Sequence, residues 1–295
     1  MSAYHTPVLL NESISALAIR EDGVYVDATF GGGGHSREIL KHLGPKGRLI
    51  AFDKDQEALA NAPDDPRLTV VHNDFRFVHN FVKYYGYAAV DGILADLGVS
   101  SHQFDTGERG FSFRFENAPL DMRMNADAPV CAADIVNSYS GEDLEKIFRL
   151  YGEVESSRRV AELVVSARER SPLKTTDDLG RAIAPVLPKL FEHKYLAKIY
   201  QALRIEVNGE MTSLEGFMKG AFRSLGQGAR LAVITYHSLE DRIVKTAIRE
   251  GSQTGLLSRV NKKPILPSEE EIASNTRARS AKLRVAERQI DEHER

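Results

Sequence analysis

The first third of the chain alternates continuous apolar runs with amphipathic stretches. Four runs are rich in Val, Ile, Leu, Phe or Ala without strict alternation, which is typical of strands in a parallel sheet covered on both faces. They predict strands at 24–30, 48–53, 68–73 and 90–97. Amphipathic stretches follow the first three and predict helices at 35–43, 56–61 and 75–84. This alternation of strand and helix predicts a doubly wound α/β domain.

The pattern changes after residue 103, and strand-like runs are absent until residue 229. An irregular loop at 109–123 comes first, and the periodicity then predicts helices at 141–153, 155–170 and 175–186. Thr175 and Asp178 have the spacing of a capping box at the start of the last helix. The sequence therefore predicts a core domain of residues 1–108 and 206–295 with an inserted helical domain at 109–205.

Apolar patterning resumes at 229–236, which predicts a fifth strand, and a helix is expected from Ser238. A last strand at 282–286 is expected at the edge of the sheet. The segment 261–276 is rich in Pro, Ser and Glu, and this composition predicts a mobile connection.

Composition narrows the class of protein. The chain has 295 residues and 42% hydrophobic residues, which is ordinary for a globular protein with a real core. Its formal charge of -3 gives no overall attraction to nucleic acid, so such contacts would need local basic patches. The single cysteine, Cys131, excludes an internal disulfide or a cysteine-rich zinc site. With no secretory signal and no apolar run of about 20 residues, a cytoplasmic protein without a membrane span is expected.

A run of four glycines at 31–34 follows the first strand, which carries Asp27 near its end. Glycines at this position let the backbone approach a ligand closely, and the next helix offers unpaired N–H groups at its start. Asp53 comes twenty positions after Gly33, at the end of the second strand, where its carboxylate can accept hydrogen bonds from ribose hydroxyls. Together these features predict a site for an adenosine-containing ligand.

Nicotinamide dinucleotides and S-adenosylmethionine both use this geometry. The dinucleotide pattern requires a third glycine where this chain has Ser36. Acids at four successive strand ends would repel a pyrophosphate but attract a sulfonium and an ammonium, and this favours S-adenosylmethionine. These acids are Asp27, Asp53, Asp74 and Asp96. Phe75 is expected to pack against the adenine, with Asp74 at the edge of the base.

Polar residues follow the fourth and fifth strands, at the crevice where doubly wound sheets bind their substrates. The first group is Asp96, Ser100, Ser101, His102 and Gln103, and the second comprises residues 235–242, including His237. The alternative for the second group is that Ser238 is the N-cap of a helix with a solvated, acid-rich first turn. No nucleophile elbow or spaced set of metal ligands accompanies them. Cys131 lies away from every strand end, so methylation of a pyrimidine carbon is disfavoured relative to transfer to an exocyclic amine or an oxygen.

Eight motifs in order along nearly the whole chain resemble the bacterial small-subunit (16S) ribosomal RNA cytosine-N4 methyltransferase family of the MraW (RsmH) type. They are HTPVLLNE at 5–12, FGGGGHS at 30–36, DLGVSSHQFD at 96–105, ERGFSF at 108–113, PLDMRM at 119–124, QALRIEVNGE at 201–210, HSLEDRIVK at 237–245, and 277–288. Phe104 and Thr276 stand where the family usually has Leu and Pro. Amino methyltransferases commonly have an acid or Asn followed by Pro-Pro-aromatic at the fourth strand, where this chain has Asp96-Leu-Gly-Val.

The resemblance implies a Rossmann-like S-adenosylmethionine-dependent methyltransferase that modifies the N4 amino group of a cytidine in the decoding region of 16S ribosomal RNA, within the small ribosomal subunit. A homodimer is left open. The family's cofactor contacts would fall on Gly33, Gly34, His35, Asp53, Phe75, Asp96 and Gln103. The catalytic candidates are Asp96, Ser100, Ser101 and His237, and no metal is expected. Asp96 would either accept hydrogen bonds from the amine or bind the methionyl ammonium.

Three clusters of basic residues are candidates for RNA phosphate contacts, with aromatic residues between them for base stacking. They are Arg109, Arg114 and Arg123; Arg158, Arg159, Arg168 and Arg170; and Arg277, Arg279, Lys282 and Arg284. Alternative functions are a methyltransferase acting on DNA, another nucleic acid or protein, a nucleotide-binding dehydrogenase, and a non-catalytic RNA-binding assembly factor.

Overall fold

The computed structural model describes residues 7–290, apart from the side chain of Ser101, and these residues form two compact units. Residues 1–6, which include the start of the 5–12 motif, and 291–295 lie outside this description. The first unit is built on a seven-stranded sheet. Its strands are β1 (Val24–Asp27), β2 (Arg48–Asp53), β3 (Leu68–His72), β4 (Val90–Asp96), β5 (Leu225–Thr235), β6 (Leu257–Arg259) and β7 (Lys282–Arg288).

The strand order is β3-β2-β1-β4-β5-β7-β6, and every pair from β3 to β5 is parallel. The chain reverses its direction of travel across the sheet between β1 and β4, which is the switch point of a doubly wound fold. The predicted α/β class is therefore confirmed. The expected edge position of the last strand is wrong: β7 is antiparallel between β5 and the short β6, which forms the edge.

Thirteen α-helices occur within residues 7–290. They are α1 (Leu10–Leu17), α2 (Gly34–His42), α3 (Gln56–Leu59), α4 (Val78–Tyr84), α5 (Ser101–Asp105), α6 (Ala132–Ser138), α7 (Gly141–Leu150), α8 (Ser157–Arg168), α9 (Thr176–Ile183), α10 (Glu192–Asn208), α11 (Glu210–Ser224), α12 (Ser238–Gln253) and α13 (Glu269–Ser274). The helix predicted at 75–84 begins as a 3-10 turn, Phe75–Phe77. Segment 261–276, whose composition predicts mobility, contains α13.

Successive residues of the central strands belong to different hydrophobic clusters, as expected for a sheet buried on both faces. Val26 and Ile50 lie in a cluster with residues of α4, α11 and α12, whereas Tyr25 and Leu49 lie in a cluster with residues of α1 and α2. The apolar runs that predicted these strands are therefore explained by helices on both sides of the sheet. This packing fixes the carboxyl ends of β1, β2 and β4 side by side.

The second unit, Val99–Glu210, is helical and has its own core. It extends beyond the predicted 109–205 at both ends. Phe148, Leu179 and Leu203 are fully buried in its core. The predicted capping box is present at the start of α9, where the Thr175 side chain accepts from the Asp178 N–H. Within residues 7–290, no helix has the length and apolar character to cross a membrane.

Candidate cofactor and active site

The glycine loop joins β1 to α2 in a conformation that depends on glycine. Gly33 is the N-cap of α2 and has a φ of 74°, in the left-handed region. A Cβ atom on Gly33 would lie 2.6 Å from Cζ of Phe30, and one on Gly34 would lie 2.1 Å from Cγ of Pro7. The loop is also tied to β2, because the N–H of Gly31 donates to Oδ2 of Asp53 at 2.8 Å. The loop is therefore held close to the strand ends.

Three carboxylates stand at the ends of the adjacent strands β2, β1 and β4. Burial raises the pKa of Asp27 to about 7, of Asp53 to about 6 and of Asp96 to about 7. The Ser36 hydroxyl donates to Asp27 at 2.6 Å, and within residues 7–290 no Lys or Arg forms an ion pair with any of the three acids. The carboxyl ends of these three strands thus bring together acidic groups that a bound cation would stabilise in their charged form.

Asp74 differs from the other three acids. Its Oδ2 is 2.9 Å from Nζ of Lys54 and 2.6 Å from a guanidinium nitrogen of Arg76, and it accepts from the Ser213 hydroxyl at 2.7 Å. These partners lower the pKa of Asp74 although burial opposes the shift. The repulsion expected from four acids therefore comes from three, since Asp74 is already neutralised.

Phe75 follows Asp74 and is half-buried. Its ring packs edge-on against Phe217 of α11, with a centroid separation of 5.0 Å, and the Lys54 ammonium lies 6.0 Å from the ring centroid. Phe75 thus packs against the core through Phe217, while part of its side chain remains exposed. This placement suits a wall for an aromatic base.

His35, in the first turn of α2, is buried to 5% exposure. Its Nδ1 lies 3.8 Å from Oδ2 of Asp96, and burial lowers the pKa of the imidazole to about 4. His35 is therefore neutral at physiological pH. Its Nε2 is buried and has no hydrogen-bond partner in the part of the chain that the structure covers.

Asp96 is held by Tyr236, which belongs to the predicted polar group 235–242 but had no individual role there. The hydroxyl of Tyr236 donates to Oδ1 of Asp96 at 2.6 Å, and the Asp96 N–H donates to the Thr29 hydroxyl at 2.6 Å. Tyr236 comes directly after β5, the strand that pairs with β4. A tyrosine at the carboxyl end of a neighbouring strand is a usable signal, but the 140-residue separation hides this contact from local pattern analysis.

The residues after β5 form a capping box instead of an open polar cluster. His237 is the N-cap of α12: the Glu240 N–H donates to its Nδ1, and its Nε2 lies 3.1 Å from Oε1 of Glu240. The alternative that Ser238 caps this helix is wrong, because Ser238 is the first helical residue and is exposed. The imidazole of His237 therefore already faces Glu240, and its catalytic role remains a prediction.

Ser100, Ser101 and Gln103 belong to the second unit. Ser100 is the N-cap of α5, where its hydroxyl accepts from the Gln103 N–H at 3.2 Å and Oε1 of Gln103 accepts from the Ser100 N–H at 3.2 Å. Gln103 is 4% exposed. The contribution of these three residues to cofactor or substrate binding remains a prediction.

Cys131 lies in the same unit, at the N-cap of α6. Burial raises the pKa of its thiol, so the thiolate needed for nucleophilic attack on a ring carbon is disfavoured.

The basic clusters are largely engaged within the protein. Arg284 forms two bonds with Asp241, at 2.7 and 3.0 Å, and Arg109 donates to the carbonyl oxygens of Arg123 and Met124. Other guanidinium groups pair with Asp121, Glu162 or the carbonyl of Val136. Three candidates are exposed and have no ion-pair partner between residues 7 and 290: Arg114, Arg170 and Arg279.

This set of groups suits S-adenosylmethionine. Three carboxylates that form no ion pair with Lys or Arg within residues 7–290 match a ligand with a sulfonium and an ammonium. The expected contacts of Asp53 with ribose hydroxyls and of Phe75 with adenine remain predictions. A glycine-lined loop beside these groups leaves room for the close approach of the ligand. The cofactor predicted from the sequence therefore fits the residues present.

The chain is similar in sequence to one family of known proteins. The sequence profile of the MraW methylase family matches residues 2–289. The chain is 52% identical to the "Ribosomal RNA small subunit methyltransferase H" of Parabacteroides distasonis, covering 97% of this chain and 98% of that protein, and 50% identical to the protein of the same name from Flavobacterium johnsoniae, with the same coverage. A crystal structure described as a putative rRNA-methylase from Clostridium thermocellum gives a TM-score of 0.48 at 12% identity, covering 96% of this chain and 98% of that one. By the match to its profile and the identity to these relatives, the chain belongs to the MraW methylase family and is a methyltransferase that uses S-adenosylmethionine.

Proposed function

We propose that the chain transfers a methyl group from S-adenosylmethionine to the N4 amino group of a cytidine in the decoding region of 16S ribosomal RNA. Relatives about 50% identical over almost their full length are named small-subunit ribosomal RNA methyltransferases, and the motif resemblance supports the N4 position. The structural observation that carries the proposal concerns Asp96. This acid lies at the carboxyl end of β4, beside the switch point of the sheet; its side chain is partly exposed, and one of its oxygens accepts from the Tyr236 hydroxyl.

The chemical problem is the weak nucleophilicity of the cytosine amine, whose lone pair is delocalised into the ring. Bound S-adenosylmethionine supplies an electrophilic methyl group on a sulfonium. The protein must hold the amine in line with this group, at an approach of about 3 to 3.5 Å. Asp96 and the backbone carbonyls of Leu97–Val99 can accept hydrogen bonds from the amine protons as positive charge develops on nitrogen. No cysteine is required, in agreement with the raised pKa of Cys131.

The remaining site residues have roles in this proposal that follow from their position. The glycine loop at Gly33 and Gly34 and the carboxylate of Asp53 would bind the adenosine part of the cofactor, and Phe75 would cover its base. Asp96 serves the amine or the methionyl ammonium. Ser100, Ser101, Gln103, His35 and His237 complete the predicted set.

The helical unit at 99–210 is proposed to recognise the RNA. A cytidine must be unstacked before its amine can enter a protein pocket. Exposed Arg114 and Arg170 in this unit are available for phosphates, and the exposed Phe191 is available for base stacking. A substrate within the small ribosomal subunit, a cytoplasmic location and a homodimer remain predictions.

The proposal is tested by supplying labelled S-adenosylmethionine with naked 16S RNA, small subunits or whole ribosomes in parallel. Nuclease digestion should give labelled N4-methylcytidine from at least one of them. Label at carbon 5, or label only in DNA or protein, would refute the proposal. Binding of NAD but not S-adenosylmethionine in a thermal-shift titration would identify a dehydrogenase.

Asp96→Asn separates the two roles of Asp96 and tests the assembly-factor alternative. The asparagine keeps the shape of the side chain and an acceptor for the Tyr236 hydroxyl. Transfer should fall about 10²- to 10³-fold, as for loss of one preorganised electrostatic contact. An unchanged Kd for the cofactor would assign Asp96 to the amine, whereas a large rise in Kd would assign it to the ammonium. Full function of the variant in cells would contradict a catalytic function.

A further inference from the structure

Tyr236 stands where the two central strands of the site end. Its hydroxyl donates to Oδ1 of Asp96 at 2.6 Å, the short separation typical of a hydrogen bond to a charged acceptor. The ring lies beside the turn after β4: a Cβ atom on Gly98 would be 3.4 Å from Cδ2 of Tyr236. Gly98 has a φ of 101°, so glycine both permits this turn and leaves space for the ring.

The backbone of Tyr236 is fixed by the start of α12. Oε2 of Glu240, a residue only 2% exposed, accepts from the N–H of Tyr236 at 2.8 Å and from that of His237 at 3.3 Å. On the other side, the Leu97 N–H donates to the carbonyl oxygen of Ile234 at 3.0 Å. The phenol is therefore tied to the same framework that carries Asp96.

We infer that Tyr236 is a positioning residue for methyl transfer, whose hydroxyl fixes the Asp96 carboxylate so that Oδ2 faces the ligand. This inference rests on the proposed role of Asp96 and deepens it. One oxygen of Asp96 is used by the phenol. The other lies 3.8 Å from Nδ1 of the buried His35, and 22% of the Asp96 side chain is exposed.

The electrostatic surroundings give this hydrogen bond a second effect. Burial raises the pKa of Asp96, the nearby acids Asp27 and Glu240 raise it further, and the bond from Tyr236 lowers it. His35 also faces this carboxyl, but its lowered pKa leaves it neutral. The pKa of Tyr236 itself is raised well above 10, so the phenol remains a donor at every pH at which the enzyme is assayed.

Tyr236→Phe removes only the hydroxyl and keeps the ring against Gly98. Single-turnover transfer at pH 7 should fall about 10- to 100-fold, because the acceptor loses its alignment. The acidic limb of the pH profile, for transfer or for cofactor binding measured by calorimetry, should move upward by about one pH unit. A rate within twofold of wild type, or a slower variant whose two profiles are unshifted, would overturn the inference and leave a structural role only.

Tyr25→Phe is the matched control. This tyrosine is 1% exposed, and its hydroxyl accepts from the N–H of Arg20 at 2.8 Å, so the substitution also deletes one internal hydrogen bond. It should leave the pH profile unchanged. An equal shift in both variants would show that the effect is general and would overturn the inference.

A double-mutant cycle tests whether Tyr236 acts through Asp96. In the Asp96→Ala background, which has no side-chain acceptor for the Tyr236 hydroxyl, Tyr236→Phe should change transfer by less than about threefold. Full additivity would overturn the inference. If wild-type enzyme labels a position other than N4 of cytidine, the proposed substrate fails, but the pH profiles still decide the role of Tyr236.

Discussion

Asp27→Asn removes the charge of one of the three acids at the carboxyl ends of β1, β2 and β4. Asp27 is fully buried and accepts from the Thr29 N–H and the Ser36 hydroxyl. An asparagine resembles the protonated acid: its oxygen can accept from Thr29, while its amide can donate to the serine hydroxyl after that hydroxyl rotates. The substitution therefore removes a titration with little change in packing.

The magnitude follows from the raised pKa. Burial raises the pKa of Asp27 from 3.8 to about 7, so between these values the folded protein retains a proton that the unfolded chain has released. Stability due to this group is present below the unfolded pKa and is lost as pH rises through the folded one. A difference of about 3 pKa units corresponds to about 4 kcal/mol in total, or about 1.4 kcal/mol per pH unit inside the window.

The assay is urea unfolding of wild type and Asp27→Asn at pH 5, 6 and 7 without cofactor. The free energy of unfolding of wild type should fall relative to that of the variant by about 2 kcal/mol between pH 5 and pH 7, because the slope decreases as the pH approaches the folded pKa of about 7. Asp53 and Asp96 titrate in both proteins and affect both curves in the same direction. Saturating S-adenosylmethionine should flatten the wild-type curve, because a bound cation favours the ionised carboxylates.

Asp65→Asn is a control outside this window. Arg67 lowers the pKa of Asp65 to about 2, so its stabilising effect is lost only as pH falls below about 4. The curve for this variant should run parallel to that of wild type from pH 5 to 7. Parallel curves for Asp27→Asn and wild type would refute the assignment of a raised pKa to Asp27.

Two further substitutions have expected outcomes that differ in kind. Gly33→Ala places a Cβ at a φ of 74° and 2.6 Å from Phe30. We therefore expect a loss of about 1–3 kcal/mol in the free energy of unfolding, and weaker cofactor binding by calorimetry. Wild-type values would contradict the close packing of the loop. Arg284→Gln leaves Asp241 with Lys282, at 3.6 Å, as its ion-pair partner among residues 7–290. Urea unfolding should show a loss of about 1–3 kcal/mol in the free energy of unfolding. The affinity for RNA, measured by filter binding, should change less than twofold. A large loss of RNA affinity with unchanged stability would restore Arg284 to the phosphate-binding set.

The parts of the site that lie within one strand–loop–helix unit could be predicted from sequence. β2 has the predicted bounds, and the glycine loop and Asp53 lie together because parallel strand ends meet at one edge. Contacts between distant segments could not be predicted. The hydrogen bond from the Ser213 hydroxyl to Asp74 joins residues 139 positions apart, and local periodicity contains no information about such pairs.

Two errors have local causes. Ser is a much commoner N-cap than His, which favoured Ser238, but the buried Glu240 satisfies the backbone N–H groups of Tyr236 and His237 and moves the helix start. The strand β6 has only three residues, too few to show a period, so β7 was assigned to the edge that β6 occupies.

The long segment of chain between the paired strands β4 and β5 has a consequence for synthesis on the ribosome. β4 ends at Asp96 and its parallel neighbour β5 begins at Leu225, so about 130 residues must be added before the two can pair. At about 5–20 residues per second this takes roughly 6 to 26 seconds. During that interval the nascent chain contains β1 to β3, but the apolar β4 is an unpaired edge strand. Such an edge can pair incorrectly with another segment or chain. A helical unit that folds by local contacts in the meantime would shorten the distance that β5 must cover to close that edge.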